Sequence, residues 1–212
     1  MAGFHKRQVA LVALLAGLLV RRDPLSADDQ PKPTFSTTVF GTTIPNDGLR
    51  GQVYELLEGM KYLPYFTFMK PVTTVYTKCL NIPAQDFSQG FPGLPNLKEW
   101  FAIDYQGAIW ISKPGPYRFQ LTSDDGSRLF IDDVVVINND GIHAQQTEEG
   151  EIRLKKGSHQ IRISFFQGPR YQLALVLSVS RLNDGTWEIF NTDDFQKPTG
   201  AKGKPMVDEK KR

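Results

Sequence analysis

In YRFQL, Tyr117, Phe119 and Leu121 fall on one side of an extended chain, and Arg118 and Gln120 fall on the other. HQIRISFF repeats the pattern with His159, Ile161, Ile163 and Phe165, and QLALVLSVS repeats it with Leu173, Leu175, Leu177 and Val179. Successive side chains of a strand point to opposite faces, so a period of two marks strands with one buried face. Turn signals separate the runs: SDDG, DDV, NNDG, KKG and FQGPR. Short alternating strands punctuated in this way predict an all-β fold, an antiparallel β-sandwich or barrel. Residues 51–60, GQVYELLEGM, read as an opening strand rather than a helix. Residues 99–119 read as two strands joined at KPGP. The aromatic side chains there, Trp100, Phe101, Tyr105, Trp110, Tyr117 and Phe119, are expected in the core, with one at a binding rim as the lesser alternative.

The chain has 212 residues, enough for one domain with flanking segments. Its hydrophobic share, 40%, supplies a core, and its net charge of +2 lacks the basic excess of a nucleic-acid binder. No phosphate-binding glycine loop or zinc spacing is present. Residues 1–27 have the pattern of a signal peptide: Lys6 and Arg7, then an apolar run over 9–20, then a possible cleavage point at Ala27. The run is shorter than the roughly 20 residues of a spanning helix. Arg21 and Arg22 follow it directly, so an uncleaved anchor is the alternative, and membrane association is expected only in that case. Removal of this basic segment leaves the remainder nearly neutral. The expected location is secreted, periplasmic or cell-envelope. Residues 28–47 read as a linker, 48–198 as the folded domain, and 199–212 as a disordered basic tail. Cys79 is the sole cysteine, which excludes an intrachain disulfide, and its apolar surroundings predict a small buried hydrophobe.

SDDGSRLFIDD brackets a short apolar run with two acidic pairs. Adjacent side chains of an extended chain diverge. Asp124 and Asp125 can therefore share an ion only if the backbone bends sharply between them, as a cis peptide would allow, and Gly126 would lend freedom to such a bend. The competing reading is an Asp-Gly turn. Asp132 and Asp133 precede Val134 in the layout of a hairpin tip, where a turn is expected. NNDGIH (138–143) lacks the closing Glu of a calcium loop and reads as a turn at Asp140-Gly141, with Asn139, Asp140 and His143 at a possible pocket rim.

The series FQLTSDDGSRLFID, then NDGIH, then a glycine turn and a strand ending in FFQG resembles the PA fourteen domain family, named for anthrax protective antigen. The likeness covers most of 48–195. It implies a β-sandwich carried by secreted or surface proteins, often as a carbohydrate-binding module. In lectin members an Asp-Asp pair joined by a cis peptide holds Ca2+, which in turn holds sugar hydroxyls, and Asp124 and Asp125 match that pair. A later loop completes the shell in those members, often with an Asn. The matching loop here, 167–172, has neither Asn nor Asp, so Gln167, Gln172 or the carbonyls of Gly168 and Arg170 would have to serve. Tyr171 is placed to stack on a sugar ring.

Three functions compete. One is a Ca2+-dependent glycan-binding module. Another is a structural or protein-interaction domain of the cell envelope, needing no metal. The last is an enzyme, disfavoured because Ser127, Cys79 and the three histidines form no nucleophile pattern and the acids lie on turns. Expected partners are a glycan or an envelope component, not nucleic acid.

Overall fold

The structure, a computed structural model, describes residues 48–86, 90–181 and 184–199. The signal segment, the linker and nearly all of the basic tail lie outside these residues. Eleven strands are described. In chain order they are β1 (Leu49–Glu55), β2 (Thr73–Thr77), β3 (Asn81–Asp86), β4 (Phe101–Ile111), β5 (Gly115–Asp124) and β6 (Ser127–Ile131). They continue with β7 (Val134–Asn139), β8 (Gln146–Leu154), β9 (Gly157–Gln167), β10 (Gln172–Arg181) and β11 (Glu188–Ile189).

The strands form two antiparallel sheets. One has six strands in the order β2-β1-β4-β9-β6-β7, and the other has β11-β10-β5-β8 with β3 also paired to β10. The expected antiparallel β-sandwich is the observed fold. Alternation explains how the layers face. Phe101, Ile103 and Tyr105 of β4, Ile161, Ile163 and Phe165 of β9, and Leu129 and Ile131 of β6 turn inward from the six-stranded sheet. Tyr117, Phe119 and Leu121 of β5 and Leu173, Leu175, Leu177 and Val179 of β10 join the same core from the other sheet. Trp100 and Trp110 are only half-buried, whereas the other four expected core aromatics are fully enclosed. Cys79 is buried, as its surroundings predict.

The opening strand stops at Glu55, and the chain turns away before Gly59, whose φ of +87° lies in the left-handed region. The KPGP link joins β4 to β5, and Asp132-Asp133 turns β6 into β7. Both aspartates have positive φ, 48° and 63°. That is the conformation of a type I′ turn, whose twist matches that of the flanking strands.

Registers bring several chain crossings to one end of the sandwich. Ser123 lies opposite Gln146, Asp124 opposite Ala174, and Ser127 opposite both Asn139 and Phe165. Residues 124–127 therefore carry the chain from the five-stranded sheet to the six-stranded one. Segments 139–146 and 167–172 carry it back at the same end. Among the described residues no helix is long and apolar enough to cross a membrane.

Candidate functional site

The site begins with the polar residues that hold the crossings together. Ser123 Oγ and Ser127 Oγ share a 2.7 Å hydrogen bond, spanning the step between sheets. Asn139 Nδ2 donates to Ser123 Oγ at 3.0 Å and to the Gln146 carbonyl at 3.2 Å, fastening the 139–146 crossing to the same point. Groups this deeply buried cost free energy unless paired, so the network sets where the loops lie.

The Asp124–Asp125 peptide is cis. Both side chains line one pocket of about 280 Å3, with Ile142, His143, Ala144, Pro169, Tyr171 and Gln172. Asp124 is 7% exposed and Asp125 4%. Asp125 Oδ2 accepts from the Gly168 amide at 2.8 Å and from Gln167 Nε2 at 3.3 Å, while Oδ1 accepts from the His143 amide at 3.2 Å. One carboxylate thus links both return crossings to the acidic step.

Electrostatics mark the pair as under-compensated. Burial, and then the neighbouring Asp125 charge, push the Asp124 carboxyl up to about 6, against the opposing pull of His143 and the Gln145 amide. Burial also raises Asp125, partly offset by the Gly168 and His143 amides and the His143 ring. Among the described residues neither carboxylate forms an ion pair with a Lys or Arg. Two buried like charges without such a partner are a strong attraction for a cation. Gln167 Oε1 is a buried oxygen with no hydrogen-bond donor, on the same amide that touches Asp125. This donor set fits a hard cation that prefers oxygen. Among the described residues no group of three or more His, Cys, Asp or Glu converges, so such a cation would take the two carboxylates and neutral oxygens.

Of the residues singled out from sequence, Asp124, Asp125, His143, Tyr171 and Gln172 line the pocket. Gln167 supports it from below. Gly168 contributes its amide, and its carbonyl accepts the Trp100 amide at 3.2 Å. Arg170 is exposed and does not line the pocket. Asn139 acts through the buried network, and its backbone carbonyl meets His143 Nε2 at 3.0 Å. Asp140 points away, to Arg128 and the Leu63 amide. Ile142, Ala144 and Pro169 went unread, since apolar loop residues carry no chemical signal. The conformational freedom expected at Gly126 is not what the structure uses, since its φ is not positive and its role is steric. A Cβ there would meet Phe166 Cε1 at 2.4 Å and the Gly141 nitrogen at 2.7 Å.

A family model for the PA14 domain matches residues 62–192. The chain belongs to the PA14 domain family. Solved structures agree on the fold. The PA14 sugar-binding domain from an RTX adhesin shares 19% identity at a TM-score of 0.58, over 70% of this chain and 97% of that one. The PA14 domain of the MpAFP antifreeze protein shares 16% at 0.59, over 71% and 92%. The Epithelial Adhesin 9 A domain from Candida glabrata, solved with Galb1-3GlcNAc, shares 13% at 0.51, over 73% and 92%. An anti-sigma factor domain-containing protein shares 21% at 0.56, and there the match spans 48% of that longer chain. No curated protein sequence matches significantly. At these identities the likeness to this PA14 domain is one of fold.

Proposed function

We propose that this PA14 domain is an exported, non-catalytic carbohydrate-binding module that works through a cation held by Asp124 and Asp125. The observation carrying this reading is the convergence of two buried carboxylates on one surface pocket, with no Lys or Arg among the described residues paired to them. Ca2+ bound there would offer coordination positions to a pair of sugar hydroxyls. The chain's own residues do the rest. Asp125, braced by the Gly168 and His143 amides, fixes the carboxylate position. Gln167, itself held by the Pro169 and Gln172 carbonyls, keeps the 167–172 loop closed against it. Tyr171, 80% exposed at the rim, presents an aromatic face to the apolar side of a sugar. Two solved structures of this fold, an adhesin's PA14 sugar-binding domain and the Candida domain in complex with Galb1-3GlcNAc, support the choice of ligand class.

The test is a glycan array probed with Ca2+ and with chelator, alongside calorimetry of Ca2+ uptake. Retention of glycans only with Ca2+, lost in Asp124→Asn, is the expected result. Calorimetry showing no Ca2+ uptake would end this reading. The hydrogen bonds of Asp125 favour a second one, in which the pair only ties the crossings together and the domain serves a protein partner of the cell envelope. Chelation separates the two. A purely structural pair leaves the melting temperature unchanged when Ca2+ is removed, whereas bound Ca2+ at 100 times its Kd adds about 2.7 kcal/mol.

A further inference from the structure

We infer that the outer face of the six-stranded sheet carries a separate, cation-independent site for a neutral oligosaccharide chain. A trough of about 530 Å3 crosses β1, β4, β9 and the end of β6, with Gln52, Asp104, Gln106, Gln160 and Arg162 on its floor. Three strand spacings amount to about 14 Å, the scale of a short chain rather than a single ring. Tyr54 and Phe66, whose rings lie 5.0 Å apart, form a wall.

The floor is organised around Asp104, which is 3% exposed although it points away from the core. Its Oδ1 accepts from Ser164 Oγ at 2.6 Å and its Oδ2 from Gln106 Nε2 at 2.7 Å, with Arg162 at 3.9 Å. Arg162 is itself steadied over the Phe130 ring at 3.7 Å. A buried, pre-oriented carboxylate with its guanidinium is costly to assemble on a face that needs no core. Among the described residues the Gln160 side chain and the Gln106 oxygen have no hydrogen-bond partner, so planar donors and acceptors line the trough. Amides that can both give and accept, a fixed carboxylate and an aromatic wall match the alternating hydroxyl and apolar surfaces of a saccharide. Asp104 and Asp133 together outweigh Arg162 by one negative charge, which disfavours a phosphate or sulfate polymer and leaves an uncharged chain as the fitting occupant.

An adjoining trough of about 590 Å3 shares Phe66, Phe130 and Arg162 and extends the path beneath residues 62–67. Tyr65 lines it while 87% exposed, an aromatic platform without a cover. Neither trough includes Asp124, Asp125, His143 or Tyr171, so the site stands apart from the acidic pair.

The test uses the full chain with excess EDTA. Neutral hexasaccharides of β-1,4-glucan, β-1,4-xylan, β-1,4-mannan and α-1,4-glucan are titrated by calorimetry, with NMR mapping of the shifted amides. At least one hexasaccharide is expected to bind and to perturb β4 and β9. Gln106→Ala and Gln160→Ala, both at exposed positions and checked by thermal melts, should each weaken it about tenfold, as loss of a ligand hydrogen bond does. Asp125→Asn should leave it unchanged. No binding in EDTA, binding abolished by Asp125→Asn, or binding indifferent to both Gln variants would each overturn the inference. Loss of Ca2+-dependent glycan retention alone would bear on the acidic pair and not on this face.

Discussion

Three segments of chain meet closely at Gly126. Its carbonyl accepts the Phe166 amide at 2.9 Å, and its α-carbon faces the Phe166 ring and the backbone of Gly141. None of these neighbours is the free end of a flexible side chain, so an added methyl group must push the 139–146 crossing away. Overpacking of this kind costs about 1–3 kcal/mol. Gly126→Ala should therefore lower the melting temperature by several degrees, at roughly 2–4 °C per kcal/mol for a domain of this size. It should also lengthen the His143 amide to Asp125 contact, visible as faster amide exchange at His143. An unchanged melting temperature would show that the crossing yields. At this scale the acidic pair was legible, because two adjacent carboxylates before a glycine are a chemical signal. The steric demand on Gly126 was not, since it comes from Phe166 and Gly141, residues distant in sequence. Asp104 was passed over for a related reason. A single acid within an alternating apolar strand reads as an outward residue, and only the strands beside it show that it is buried.

The β6–β7 hairpin was legible as an element, with apolar runs on either side of a two-residue acidic break. Its tip also has a function in the sheet. Asp132 Oδ2 meets His159 Nδ1 at 2.6 Å and Oδ1 accepts the Gln160 amide at 2.8 Å, so the turn is clasped to β9. Burial alone would lower His159, but the Asp132 and Lys155 hydrogen bonds and the Asp132 charge outweigh it and raise the imidazole. Burial would raise Asp132, but His159 and the Gln160 amide hold its carboxyl below the usual carboxylate range. A raised histidine stabilises fully below its unfolded value of 6.5 and loses that contribution as pH climbs through the folded value. A lowered aspartate stabilises above 3.8 and loses that contribution as pH falls through its folded value. The clasp is therefore complete only between these limits. Asp132→Asn tolerates the left-handed backbone and keeps an acceptor for Gln160, but it removes the charge. It should cost about 0.2–1 kcal/mol at pH 5.5, the range for a surface ion pair, here with Asp132 half exposed and His159 mostly covered, and nearly nothing at pH 8.5. Equal melting-temperature losses at both values would contradict the assignment. Other elements were harder to read. β3, NIPAQD, has no alternation and exists because β10 offers an edge. Residues 62–67 follow no period at all.

At the scale of the whole molecule, the loops at one end of the sandwich hold their positions because every crossing there is tied to another. Such pairings join residues tens of positions apart, and alternation within a strand cannot specify them. One long-range link is Asp140, whose side chain is almost fully enclosed. Its Oδ1 accepts the Leu63 amide at 2.8 Å and its Oδ2 accepts Arg128 at 2.8 Å. One carboxylate therefore joins the 139–146 crossing, which carries His143, to the segment that roofs the outer face of the six-stranded sheet. Arg128 is partly exposed and can rehydrate once released, whereas the Leu63 amide loses its partner outright. Asp140→Ala should cost about 1 kcal/mol, the net worth of a typical hydrogen bond, since the Leu63 amide is part-buried. Asp140→Asn keeps an oxygen for Leu63 and loses only the charge. Hydrogen exchange read on a peptide spanning 62–67 distinguishes the two roles. If the carboxylate anchors this segment, exchange accelerates in the Ala variant and stays near the parent rate in the Asn variant. Acceleration in both would make the Arg128 ion pair the anchor, and acceleration in neither would mean that packing of Phe66 against Tyr54 holds the segment unaided.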